Sequence, residues 1–358
     1  MSAAGPPQGA RPLPREGVRT AREVLEPGGG ERTTHPREWI SVRTVIAGLL
    51  LAGLALVPVI ASAIGQPFYV TLFTRIVIFA LAAVGLNLIL GYGALVSFGH
   101  AMYIGIGAYA VGILAHHGVA SGWVQLGAAL IVGAVVALVI GVVCLRTSGM
   151  AFIMITLAFA QMFYFLCISL KQYGGDDGLT IASRSDFGVF SLASNTVLYY
   201  FSLALLLACL VLFQRLVHSR FGMVLRGCRS NERRMLSFGF PTLRYKLTAY
   251  VISALVCVVA GALLANLTKF AAPSYMAWQA SGDLIVMVVL GGMGTLVGPV
   301  AGAVALLIFE EILAAWTTHW MIVQGPLIVV IVLTAKKGIY GVHVDREARR
   351  ASAARSAQ

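Results

Sequence analysis

The chain has 358 residues, 59% of them hydrophobic and only 11% charged, with a formal net charge of +12. Soluble globular proteins carry about 25% charged residues, so this composition excludes a water-soluble fold and requires lipid against much of the surface. No period-two alternation persists, which excludes a membrane β-barrel.

Residues 1–44 are rich in Pro, Gly and Arg and hold seven Arg and five Glu. They lack an apolar h-region and are expected to form a disordered cytoplasmic tail. Apolar segments follow at about 45–63, 69–91, 93–115, 125–145, 150–170, 196–214, 247–268, 284–313 and 321–335. Most approach the ~20 residues that cross a bilayer as a helix. The first is expected to act as an uncleaved signal anchor. The fold class expected is all-α: a polytopic transmembrane helix bundle over 45–340, followed by a disordered cytoplasmic tail at 341–358.

Two segments are interrupted by Gly and Pro. Gly91–Gly107 reads GYGALVSFGHAMYIGIG, and Gly291–Gly302 reads GGMGTLVGPVAG. They align loosely from Leu90 and Leu290, which suggests an internal repeat with discontinuous helices beside a substrate path. Close packing explains the four-residue spacing of Gly294, Gly298 and Gly302 equally well.

Polar residues within the apolar runs are Asn87, Ser97, His100, Thr156 and Gln161. Such residues face the bundle interior. They either line a path, together with Gly99, Gly294 and Gly298, or make interhelical hydrogen bonds worth about 0.6 kcal/mol each. His100 follows Gly99 at a break and is placed to bond freed carbonyls. Arg75, Lys269 and Asp283 are expected at interfaces. The loop around Asp176 and Asp177 offers too few oxygens for calcium and reads as a tight turn. Cys144, Cys167, Cys209, Cys228 and Cys257 show no CxxC spacing and read as small core residues. No metal site, cofactor motif or phosphate-binding loop appears.

Positive charge concentrates at 215–246, which holds eight Lys or Arg and one Glu, and at 336–358, with six Lys or Arg and two acids. Basic short loops mark the cytoplasmic side, so both termini and the 215–246 loop are assigned there. Topology explains the charge without nucleic acid. Parity then needs an even number of crossings on each side of the loop. Six segments precede it. Three follow, so 284–313 must hold two passes or a re-entrant half-helix, broken at Pro299. About eight to ten crossings result.

Between Gly222 and Gly239 the loop can form one short helix. Val224, Leu225, Cys228, Met235 and Leu236 share one face; Arg226, Arg229, Ser230, Arg233 and Ser237 share the other. Gly239 and Pro241 stop it. One reading is a basic amphipathic helix resting on anionic lipid, with Glu232 paired to Arg229. The other is a coupling helix gripped by a cytoplasmic partner.

The stretch S-x-F-G-x-x-L-R-x-x-R-x-N-E at Ser219–Glu232, with Gly239 and Arg244–Leu247, resembles the cytoplasmic loop of permeases of branched-chain amino acid ABC importers. Gly85–Ala110, Leu145–Met162, Leu290–Gly302 and YGGDDGL at Tyr173–Leu179 agree in order, the last resembling the LivM-type rather than the LivH-type subunit. The resemblance covers roughly residues 70–340. Local departures are Arg234, Met235 and Pro241. It implies a bacterial inner-membrane permease with no catalytic residues and no cofactor of its own. The partners implied are cytoplasmic ATP-binding subunits, a second homologous permease and an extracytoplasmic solute-binding protein. Gly222, Arg226, Arg229, Asn231, Glu232 and Gly239 would then couple the chain to the ATPases. Branched-chain or other apolar amino acids are the substrates implied, with urea and short amides as relatives' alternatives. The rivals are an ion-coupled secondary transporter or channel for a small polar solute, which needs intramembrane carboxylates, and a membrane-embedded enzyme, for which His116 and His117 alone are thin support.

Overall fold

The computed structural model describes residues 37–188 and 191–317, with a few positions up to 326. Among the described residues, those from 49 onward form the bundle, and those before 49 belong to a separate unit. The expected tails fall mostly outside the described residues, as does most of the ninth expected segment, 321–335.

Ten helices are described: α1 (Arg37–Ile64), α2 (Pro67–Asn87), α3 (His100–His116), α4 (Gly122–Cys144), α5 (Met150–Ser169), α6 (Asn195–His218), α7 (Arg220–Ser237), α8 (Thr242–Thr268), α9 (Trp278–Gly291) and α10 (Gly298–Trp316). The protein is an all-α polytopic bundle, and six of these helices are long and apolar enough to span a membrane. The stretch 284–313, expected to hold two passes or a re-entrant half-helix broken at Pro299, is divided between α9 and α10 by an irregular turn at 292–297, with Pro299 in the first turn of α10 rather than at the break; α10 is long enough to span, and α9 is shorter. Helix α1 starts at Arg37, eight residues before the first apolar run expected from sequence.

Helices α2 and α8 make the centre. In α2, Ile76, Val77, Ala80, Ala82, Ala83 and Leu86 are fully enclosed. Small side chains let backbones approach, and interhelical hydrogen bonds use the space: Ser253 Oγ donates to Gly85 O at 2.7 Å. Helices α3 and α8 cross closely, because a Cβ on Gly107 would strike Val258 O and one on Gly261 would strike Ile104 O. Helices α4 and α5 lie outside. Ile131 (68% exposed) and Phe165 (59%) show that their outer faces have no protein partner among the described residues, as suits helices bathed in lipid.

Helix α7 caps one end of the bundle, between α6 and α8. At the far end a two-residue antiparallel pair joins β1 (Leu179–Thr180) to β2 (Phe270–Ala271). There Ser185 N–H donates to Asn266 Oδ1 at 2.8 Å, which ties the 170–193 segment to the end of α8.

Candidate functional site

Both glycine-rich interruptions are true breaks, and they meet. Helix α2 runs into a π-helical turn at Leu88–Tyr92 and then unravels until α3 begins at His100. Helix α9 ends at Gly291 and α10 begins at Gly298. The side-chain amide of Asn87 spans the gap: Nδ2 donates to Thr295 O at 2.7 Å, and Oδ1 accepts from Gly294 N–H at 3.0 Å. Breaking a helix frees backbone groups that lipid cannot satisfy, and one buried Asn satisfies two of them. Gly294 has a φ of +76°, open to glycine at little cost. A Cβ on Gly91 would collide with Asn87 Oδ1 and crowd Gly294 N. The seam therefore depends on glycine from both breaks.

A second polar group lies just beyond. Ser97 Oγ bonds His100 Nδ1 at 3.0 Å and accepts from Gly99 N–H at 3.2 Å. Thr156 Oγ1 accepts from Phe98 N–H at 3.3 Å, and Ser281 Oγ accepts from Ala101 N–H at 3.1 Å. These hydroxyls stand in for the carbonyls that the first turn of α3 lacks. His100 is fully buried, edge-on to Tyr103 and Tyr250, whose hydroxyls bond each other at 3.1 Å. Of the residues singled out in sequence for a path, Asn87 and Gly294 form the seam. Ser97, Gly99, His100 and Thr156 form the group beside it. Gly298 opens α10, and a Cβ there would collide with Thr295 Oγ1. Gln161 is half-buried on α5 and takes part in none of these bonds.

Helix α7 differs from the single helix expected. Asn231 is extended (φ −159°, ψ 100°), so the helix is kinked there. Asn231 Oδ1 then accepts from Arg234 N–H at 3.0 Å and caps the second half. The kink destroys the continuous apolar stripe: Val224, Leu225 and Cys228 are buried, whereas Leu236 is exposed. It also turns Glu232 towards α8, where it pairs with Lys246 Nζ at 2.6 Å rather than with Arg229.

Arg226 and Arg229 are not simply an outward polar face. Arg226 donates to Gly222 O and Val217 O at 3.3 and 3.2 Å, closing the end of α6. Arg229 Nη1 donates to Gly91 O, at the π-helical turn of the first break. Gly222 is required where the chain doubles back, since a Cβ would strike Val217 O. Gly239, at φ +81°, closes α7 as expected: its N–H donates to Leu236 O at 2.9 Å, and Phe240 N–H donates to Met235 O at 3.2 Å.

Sequence reasoning passed over Lys246, Tyr103, Tyr250, Ser253 and Ser281, which meet the expected residues only through folding. It also passed over Glu310. Arg75, expected at an interface, is the ninth residue of α2 and pairs with Glu310, the thirteenth of α10, at 3.3 Å. A carboxylate inside an apolar run is a visible signal.

Apolar spans around two joined helix breaks, with a basic helix inserted against one of them, define a multi-pass membrane protein of the transport-permease class. Residues 68–332 match the family described as the branched-chain amino acid transport system permease component, and the chain belongs to that family. It is 28% identical over 315 residues to the high-affinity branched-chain amino acid transport system permease protein LivM of Escherichia coli, covering 80% of this chain and 74% of that one. LivM of Salmonella typhimurium matches to the same extent. LivH of Escherichia coli is 25% identical over 281 residues, covering 74% of this chain and 91% of that one. No solved structure matches.

Proposed function

We propose that this chain is the membrane-spanning subunit of an ATP-binding-cassette importer that carries branched-chain or other apolar amino acids inward by alternating access. A second homologous permease completes the path, two cytoplasmic ATP-binding subunits grip α7, and an extracytoplasmic binding protein delivers substrate. Both termini and α7 face the cytoplasm. The observation that carries this reading is the bond from Arg229 on α7 to Gly91 O at the broken end of α2. A force applied to α7 reaches the seam through one side chain, with Glu232–Lys246 as a second tie into α8. The names of the relatives support the substrate class.

One observation favours the rival, a secondary transporter driven by an ion gradient: Glu310 and Asp283 lie within the apolar helices α10 and α9. Leucine uptake by vesicles carrying the assembled transporter separates the two. The importer reading expects uptake to stop with orthovanadate and to survive a protonophore. The opposite pattern overturns it.

A further inference from the structure

Besides the seam, the bundle holds a cavity of about 390 Å³ among α2, α8, α9 and α10, lined by polar and apolar groups together. Its volume lies in the ~300–1,000 Å³ range of small-molecule sites. Arg75 and Glu310 lie in its wall, paired with each other at 3.3 Å. Asp283, from α9, lies close enough to interact electrostatically with both. The three groups sum to one negative charge. The remaining wall is mostly apolar, with Phe79, Leu264 and Leu307, and carries the hydroxyls of Thr268 and Tyr275. Arg75 is 12 residues from Asn87, about 18 Å along α2 at 1.5 Å per residue, on the side away from α7.

We infer that this cavity is a binding station for a free α-amino acid, reached before the seam. Arg75 takes the carboxylate, Asp283 takes the ammonium group, and the apolar wall takes the side chain. Three physical points carry the assignment. First, a guanidinium has five N–H donors, and the bond to Glu310 Oε1 occupies one of them while fixing its direction. Second, Asp283 is exposed on the apolar helix α9 and has no ion-pair partner among the described residues, so its carboxylate is free to take a cation. Third, a zwitterion brings a cation to Asp283 and a further acceptor to the unused donors of Arg75 at once, and leaves the net charge unchanged. A simple carboxylate or a simple amine brings only one. This station rests on the reading of the chain as an amino-acid importer subunit and names where that substrate is held.

The test uses Ala280, half-buried in the cavity wall. Ala280→Cys is made in the full-length chain, in membranes carrying the assembled transporter, and maleimide labelling of this chain is followed by mass spectrometry. Leucine is expected to slow labelling. The analogue 4-methylpentanoate lacks the ammonium group and 3-methylbutylamine lacks the carboxylate. Each is expected to need at least about tenfold more for equal protection, as loss of a charge-assisted hydrogen bond implies. Asp283→Asn should erase the advantage of leucine over 4-methylpentanoate. Arg75→Gln should erase its advantage over 3-methylbutylamine, and Arg75→Lys should keep it, which separates lost charge from lost folding. Leu264→Cys gives a second reporter on another wall. Absence of protection by leucine at either cysteine, or equal protection by all three compounds, overturns the station. Radiolabelled leucine uptake in the same membranes tells the two failures apart: uptake without protection removes this site alone, whereas wild-type membranes that take up no leucine remove the importer reading itself.

Discussion

Arg229 donates to the backbone carbonyl of Gly91, so the helix between two spans touches the broken end of a third. The two residues are 138 apart in sequence. Arg229→Ala is therefore expected to cut ATP-dependent leucine uptake by at least about tenfold, because a hydrogen bond from a charged donor contributes about 1.5–3 kcal/mol. Membrane insertion, read by fractionation and gel filtration, should be unchanged. Full uptake by this variant would remove the case for α7 as the moving part.

The seam makes a second expectation. Gly91→Ala places a methyl group on Asn87 Oδ1 and the Gly294 backbone, an overpacking that costs about 1–3 kcal/mol. Gly282→Ala meets nothing within 4 Å and sits inside α9. It should be neutral, or stabilise by up to about 1 kcal/mol through helix preference. Thermal unfolding of the two variants in detergent checks the contrast; equal melting would mean that the seam is not tightly packed.

Glu232 and Lys246 join α7 to α8 at 2.6 Å, with the lysine end nearly buried. Glu232→Ala leaves that ammonium without its carboxylate and is expected to lower leucine uptake severalfold. The exchange Glu232→Lys with Lys246→Glu should restore much of it. Because Glu232 is 39% exposed, the pair itself is worth only about 0–1 kcal/mol of stability. Uptake, not melting, is the informative measurement.

All five cysteines are buried. Burial pushes the Cys228 thiol up from its ordinary value, and only the thiolate reacts. Maleimide should label Cys228 at least about tenfold more slowly at neutral pH than Cys introduced as Ser237→Cys on the exposed end of α7. Labelling of Cys228 should quicken as pH rises. Rapid labelling at neutral pH would place α7 away from the bundle.

Most helices were legible because their apolar runs are long, and the two breaks because Gly and Pro interrupt the runs that hold them. The stop at Gly239 was legible from its own glycine. The kink at Asn231 was not, since Asn is acceptable both inside a helix and as a cap, and only the local fold selects the cap. The partner of Glu232 followed from that kink. The Arg75–Glu310 pair spans 235 residues, a distance over which no local periodicity operates. Asn87 was legible as a polar residue in an apolar run, but its two backbone partners belong to the other break and appear only once the breaks touch.

The turn at Leu88–Tyr92 is π-helical, which means that α2 carries one residue more there than an α-helix would hold. Such a surplus can be handed along a helix without unwinding it. Each residue so passed turns whatever lies beyond by about 100° and advances it by about 1.5 Å. At the spot where Arg229 grips the chain, the polypeptide thus keeps a small reserve of length, enough to re-aim Gly93–Gly99 while the enclosed body of α2 stays seated.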